Sequence, residues 1–271
     1  MGEVDLDALE TAYEEGLAAE KAGDAEGAAW HFRHCLALDP DDRGGAAVRL
    51  AALGLGPVPE RAPPAYVATL FDQHAESFEM TLVHSLGYAI PEAIAEALAV
   101  AGLGPFARGV DLGCGTGLVG EALEGRVAAM DGVDLAEEML ALADEKEVYD
   151  ALYAGDAVAF LENAVPGCYD LAVAADVLPY LGALEPFLAA AAQALAPGGV
   201  LALSTETLGE AAFAGRPYAV GPAQRFAHAP GALRAGLAAA GFSVLRFEPA
   251  TIRWETGVPV PGHLVLARRE G

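Results

Sequence analysis

Between Asp7 and about Leu53 the apolar positions recur with a helical period and alanine dominates, and no run of strand length interrupts them. Beyond the prolines of GLGPVPERAPP (Gly54 to Pro64) the pattern changes to short apolar runs alternating with longer helical stretches. The runs are RGVDLG, RVAAMDGVDL, VYDALYAG, YDLAVAADVL and GVLALSTE, then SVLRFE and HLVLARR. The first five are almost continuously apolar, as expected of parallel strands covered by helices on both faces. The last two follow a helix over Gly231 to Ala240 and can close the sheet as a hairpin. The pattern predicts an α/β, doubly wound, mostly parallel seven-stranded sheet over residues 66–271. A small all-helical domain (1–56) precedes it, joined by a proline-rich linker (57–65) whose prolines withhold backbone donors.

The helical segment has a repeat-like spacing. Gly16, Ala28, Phe32 and Pro40 fall where the small, small, aromatic and proline positions of a tetratricopeptide unit fall, although Ala12 stands where that unit has tryptophan. One such unit plus a further helix from GGAAVRLAALG cannot bury both its faces, because stacked repeats need neighbours. The segment is therefore expected to dock on the rest of the chain or on a protein partner.

Charge narrows the partners. The chain has 39 acidic against 15 basic residues, a formal net charge of −24, and its only lysines are Lys21 and Lys146. Such a surface repels nucleic-acid phosphates and anionic membranes, so neither is an expected partner. No apolar stretch is long enough to span a bilayer, and the opening MGEVDLDALE has no apolar leader core, which points to a cytoplasmic protein. Cys35, Cys114 and Cys168 are scattered and suggest no disulfide framework. His31, His34 and Cys35 share a helical face but lack a fourth ligand, so no metal is expected.

The chemistry concentrates in VDLGCGTGLVG, Val110 to Gly120, where a strand-like run leads directly into Gly113, Gly115 and Gly117. In open α/β sheets a ligand sits over such a strand-to-helix turn. Gly115, Gly117 and Gly120 satisfy the dinucleotide spacing, and Asp134 follows nineteen positions after Gly115, so a nicotinamide nucleotide is one option. Asp111 favours another. Its carboxylate at the strand end repels a pyrophosphate but suits the ammonium and sulfonium of S-adenosylmethionine, while Asp134 can accept from ribose hydroxyls in either case.

VDLGCGTG resembles the first motif of class I S-adenosylmethionine-dependent methyltransferases, and GVDLAEEMLALA resembles their acidic ribose motif. AGDA, YDLAVAADVLPYL and LAPGGVLALSTE resemble, in order, the segments around the third, fourth and fifth strands. The resemblance covers roughly Pro64 to Glu270. The tetratricopeptide-like start, FDQHAESFEMTLVHSLGY and RFAH are together similar to a bacterial group of these enzymes that carries such repeats. The resemblance implies a Rossmann-like methyltransferase fold and S-adenosylmethionine as cofactor. It implies that Gly113, Cys114, Gly115 and Gly117 approach the methionine part, with Asp111 near the ammonium and Asp134 on the ribose. Leu135 and Met139 would flank the adenine, Gly155, Asp156 and Ala157 would form its turn, and Asp156 would accept from its amine. The segment around Asp176 would offer a carbonyl to the ammonium.

Methyl transfer from a sulfonium requires alignment more than activation, and a general base only for a protonated acceptor. His74, His84, Tyr88, Tyr180 and His228 are the available groups, of which His74, Tyr180 and His228 are taken as catalytic. Phe71, His74, Ala75 and Phe78 share one helical face in FDQHAESFEMTL, a stretch that in the resembling family closes over the cofactor. GRPYAVGPAQRFAH, Gly215 to His228, is too polar and glycine-rich for core and would overhang the pocket. Phe78, Tyr88, Tyr218 and Arg225 are thus expected to contact the acceptor, a small molecule or a protein side chain, and an arginine in so acidic a chain hints at an anionic one. A nucleotide oxidoreductase, or a non-catalytic interaction protein with a structural cofactor, are the competing readings.

Overall fold

The computed structural model describes residues 5–271. Two antiparallel helices, α1 (Leu6–Ala22) and α2 (Ala25–Leu38), open it. Asp5 caps α1 by accepting from Ala8 N–H, Gly23 ends it in the left-handed region, and Asp24 caps α2 through Gly27 N–H. The helices meet where Gly16 faces the Phe32 ring. A Cβ at Gly16 would lie 2.7 Å from Phe32 Cε1, which explains why only glycine permits this approach. A third helix, α3 (Ala46–Ala52), buries Ala46 and Leu50 against α1 and α2. Its other face places Val48 in a separate cluster with Ala62, Val67 and Phe226, so this helical unit is docked on the rest of the chain. On α2, Cys35 is buried in the helical core while His34 is exposed, which separates two of the three residues weighed as a metal triad.

Helix α4 (Pro64–Asp72) starts on a proline at its first turn and is followed by a 3₁₀ turn (Ala75–Ser77) and a π-helical turn (Met80–Ser85). FDQHAESFEMTL is therefore not one continuous α-helix. Phe71, Ala75 and Phe78 still turn inward, against Ala136 and Met139, and His74 is exposed.

Helix α5 (Ile90–Val100) then leads into an alternating series. It runs β1 (Gly109–Leu112), α6 (Leu118–Ala122), β2 (Met130–Asp134), α7 (Glu137–Glu145), β3 (Ala151–Ala154), α8 (Ala157–Asn163), β4 (Tyr169–Ala174), α9 (Glu185–Ala194) and β5 (Leu195–Glu206). After the short α10 (Glu210–Phe213) come a small hairpin, β6 (Tyr218–Val220) and β7 (Phe226–His228), then α11 (Pro230–Ala239), β8 (Phe242–Glu255) and β9 (Val258–Arg269). The seven main strands are ordered β3-β2-β1-β4-β5-β9-β8, with β9 antiparallel to both neighbours. The sheet is thus mixed rather than all parallel. The order reverses between β1 and β4, which leaves a crevice beyond their carboxyl ends.

Both faces of the central strands are buried, as their continuous apolar runs require, while the edge strand β3 is half-buried to exposed despite its apolar run. Along β4, Leu171 and Val173 pack with α5 and α6, whereas Ala172 and Ala174 pack with α8, α9 and α11. The stretch Gly215 to His228 departs from expectation. It contains the β6–β7 hairpin, whose Ala219, Phe226, Ala227 and His228 are buried, so it is packed structure and not a polar overhang.

Candidate active site

A cavity of about 400 Å³ opens over the carboxyl ends of β1, β2, β3 and β4, beneath α4 and the turns that follow it. Its floor is the glycine turn after β1. Gly113 has φ of +69°, and a Cβ there would lie 2.5 Å from Val177 Cγ2, so the main chain is bare where it bends. The turn is fixed from below, where Gly113 and Cys114 N–H both donate to Val133 O (2.7 and 3.0 Å). Asp134 fixes it from the side, accepting from Gly115 N–H through Oδ2 (2.8 Å) and from Ala136 N–H through Oδ1 (2.9 Å). Burial pushes the Asp134 carboxyl up, against the pull of these N–H donors.

Gly113, Cys114, Gly115, Asp134, Leu135, Gly155, Asp156, Ala157 and Asp176 all line the cavity. Three residues expected with them do not. Asp111 is fully buried behind the turn, where Tyr149 Oη–H donates to its Oδ2 (2.7 Å), and its Oδ1 has no partner. Met139 is enclosed with Ala75 and Ala136 beneath the roof, because its helix position turns it away from the crevice. Gly117 caps the five-residue α6 and faces Tyr149 and Lys146, leaving Leu118 and Val119 to line the wall. Cys114 is buried, and desolvation drives its thiol far above the ordinary range, which makes it a packing residue and not a nucleophile.

The buried carboxyl of Asp111 has a measurable consequence. Desolvation pushes it up to about 7 from 3.8. Between those values the folded state holds a proton that the unfolded chain has released, so stability falls as pH rises through this window. Asp111→Asn removes that dependence. Its melting temperature is expected to match the parent near pH 4 and to exceed it at pH 8 by on the order of a few degrees. Thermal denaturation of both proteins across this range checks it, and parallel profiles would contradict it.

The acceptor-side residues divide in the same way. His74, Phe78, Tyr88, Tyr180 and Arg225 line the cavity. The Phe71 ring meets Phe78 and Tyr180 edge-on, with centroids 5.9 and 5.4 Å apart. His74 Nδ1 lies 2.7 Å from Leu70 O, which can only accept, so Nδ1 carries the proton and Nε2 is the ring nitrogen left without that partner. Burial and nearby Asp176 raise both tyrosine hydroxyls, which makes Tyr88 and Tyr180 donors rather than bases.

His228 and Tyr218 lie elsewhere, beside a small separate void near Gly182 and Glu185. His228 Nε2–H donates to Leu181 O (2.8 Å), and burial lowers its pKa to about 4. A neutral, enclosed imidazole outside the cavity cannot serve the reaction, and this corrects its assignment as a catalytic group. Tyr218 stacks edge-on against Phe226 and is likewise removed from the acceptor set.

Arg225 does reach the cavity, but its charge is balanced. Its Nε donates to Glu206 Oε1 (2.7 Å) and its Nη2 pairs with Glu255. Arg253, buried at 3 % exposure, completes the group by pairing with Asp176, Glu206 and Glu255. Neither Arg253 nor Glu255 was found in the sequence, because the predicted strand ended at Glu248 whereas β8 continues to Glu255. Trp254 N–H donates to Leu86 O (2.7 Å) and ties this extension to the roof. A further cavity residue, Arg61, comes from the predicted linker and pairs with Asp156.

The family model described as "Methyltransferase domain" matches residues 110–201, from β1 into β5. The ubiquinone biosynthesis O-methyltransferase of Burkholderia multivorans is 33% identical over 105 residues, which covers 36% of this chain and 44% of that protein. The chain therefore spans less than half the length of the curated relatives it matches. Among solved structures, the N-methyltransferase NodS of Bradyrhizobium japonicum, in complex with S-adenosyl-L-homocysteine, superposes with TM-score 0.52 at 17% identity, covering 66% of this chain and 86% of that one. The [4+2]-cyclase SpnF does so with TM-score 0.54 at 17% identity, covering 66% and 80%. At these identities the likeness is one of fold, and the two neighbours show that one fold carries different reactions.

Proposed function

We propose that this chain, whose residues 110–201 match a model of a methyltransferase domain, is an S-adenosylmethionine-dependent methyltransferase acting on a small, mainly apolar molecule at oxygen. The observation that carries this reading is the convergence of a bare glycine turn, Asp134 and Asp156 in one roofed cavity at the reversal of strand order. The residues fit the cofactor. Gly115 leaves the turn open to the cavity, since a Cβ there would meet only Phe78 Cε1 at 3.8 Å, and the Thr116 hydroxyl is buried on the same wall without a partner.

When bound, S-adenosylmethionine supplies an electrophilic methyl group on a sulfonium that needs no further activation. Asp134 accepts from the ribose, and the wall formed by Leu135, Gly155, Asp156 and Ala157 holds the adenine. Phe71, Phe78 and the segment after them exclude water, so that alignment supplies most of the rate. His74, its Nδ1 held by Leu70 O, takes the proton of an acceptor hydroxyl at Nε2, and Tyr88 and Tyr180 orient that acceptor by donating to it.

Two observations favour a neutral oxygen acceptor over an anionic one. The guanidinium groups of Arg225 and Arg253 are already matched by Glu206, Glu255 and Asp176, so an anion would have to displace a carboxylate. The rest of that end of the cavity includes Val67, Leu70, Leu86 and Leu181, and the curated relatives are named O-methyltransferases. The helical unit, read as tetratricopeptide-like, adds a surface for a protein partner. Trp30, exposed on α2, is a large apolar group on it. No helix among the described residues is long and apolar enough to cross a membrane.

The test is a thermal-shift comparison followed by transfer of a labelled methyl group. S-adenosylhomocysteine is expected to raise the melting temperature and NAD(H) to leave it unchanged. Label from the methyl donor should then appear in small hydroxylated aromatic or alicyclic acceptors. Stabilisation by NAD(H) alone would replace this reading with a nucleotide oxidoreductase.

A further inference from the structure

The segment between the helical unit and α4 is not a free linker. Ala62 N–H donates to Tyr180 O (2.9 Å), and Gly182 and Ala183 N–H both donate to Glu60 O (2.8 Å each). Arg61 sits between these bonds, bridged to Leu181. The backbone is thus clipped onto the loop after β4, and the Arg61 side chain is directed into the cavity wall, where its Nη2 pairs with Asp156 Oδ2. Asp156 uses its other oxygen, Oδ1, to cap α8 through Val158 and Ala159 N–H (3.1 and 3.0 Å). Against the upward push of burial, Arg61 and these N–H groups hold the Asp156 carboxyl below its ordinary range. Arg61 Nε is buried without a partner, so the guanidinium is committed to this wall at the cost of an unsatisfied donor.

We propose that Arg61 is a positioning residue for the nucleobase end of the cofactor site, holding Asp156 ionised and oriented so that its Oδ2 accepts from an aminopurine. The inference rests on the S-adenosylmethionine reading and deepens it. It makes the strap Glu60–Ala62 part of the cofactor site, although the motifs of the methyltransferase domain begin some fifty residues later. A carboxylate fixed by a helix cap on one oxygen and a guanidinium on the other presents its remaining lone pair in a single direction. Without the guanidinium that oxygen is free to rotate from the cap and to take up a proton, and a protonated carboxyl no longer discriminates for an amine.

Calorimetric titration of S-adenosylhomocysteine into the full chain tests this, with the parent, Arg61→Ala and Arg61→Lys each measured at pH 7.5 and pH 5, and folding followed by circular dichroism. Arg61→Ala is expected to bind on the order of tenfold to a hundredfold more weakly at pH 7.5. It should weaken further at pH 5, where the parent changes little. Arg61→Lys, which keeps a charge but not the planar fork, should recover part of the affinity and most of the flat pH profile. Parent-like affinity and pH profile in Arg61→Ala would overturn the inference. So would equal losses in both variants with unaltered pH profiles, since these would mark the strap as merely structural. A parent protein that binds no S-adenosylhomocysteine would instead remove the cofactor reading itself.

Discussion

Asp134→Ala is expected to weaken S-adenosylhomocysteine binding by at least about a hundredfold, because two hydroxyl hydrogen bonds to a buried carboxylate are lost together. The structure adds a second cause. Asp134 also accepts from Gly115 and Ala136 N–H, so its removal strands two backbone donors and loosens the turn that forms the cavity floor. The two causes separate experimentally. Asp134→Asn retains an oxygen for one N–H and the side-chain volume, and should keep most of the thermal stability while still losing most of the affinity. Arg225→Ala alters the far end of the cavity and should leave cofactor affinity within about threefold while lowering turnover. If Asp134→Ala bound the ligand like the parent and Arg225→Ala did not, the two ends of the cavity would be assigned the wrong way round.

Removing Arg253 should have the largest effect on stability. Its Nη1 lies 2.9 Å from Asp176 Oδ2, its Nε lies 2.9 Å from Glu255 Oε1, and its Nη2 pairs with Glu206. Arg253→Met preserves much of the volume but leaves three carboxylates with only Arg225 to balance them. Breaking a buried ion-pair group from one side costs about 3–5 kcal/mol. In a chain of this size that lowers the melting temperature by on the order of 10 °C. The sign of the pH dependence is fixed too. Without the guanidinium, Asp176 and Glu255 lose a charge that holds their carboxyls down against burial, so the folded state takes up protons and the deficit shrinks as pH falls toward 5. Glu206→Gln in the same background removes one of the stranded charges and should restore part of the loss. Denaturation of the single and double variants at pH 5 and pH 8 reads all three expectations, and a deficit independent of pH would point to packing instead.

The division between what could be read in advance and what could not follows the range of the interactions. The central strands β1, β2, β4 and β5 were visible because each is a short apolar run set by burial within the strand itself, whereas the edge strands β3 and β8 are largely half-buried or exposed. The glycine turn and Asp134 were visible because Gly113 and Gly115 follow a strand directly and an acid ends the next one. Asp111 and Met139 have the right spacing, yet the structure turns Asp111 behind the turn toward Tyr149 and Met139 under the roof. Spacing fixes the position along the chain, whereas the rotation of the backbone fixes which side the side chain faces. His228 was misplaced because a short segment rich in glycine and proline reads as a loop, although pairing Tyr218 with His228 buries it as a hairpin.

The sequence alone therefore determined the architecture of alternating strands and helices, the glycine turn after β1 and the acidic residue that ends β2, since these depend on residues close together in the chain. Only the tertiary structure decided which charged groups meet in the cavity. Arg61 reaches Asp156 across 95 positions, and Arg253 reaches Asp176 across 77 and Glu206 across 47. No local pattern encodes such pairs, because their partners are chosen by how strands are ordered and how the strap and the β8 extension return over the sheet.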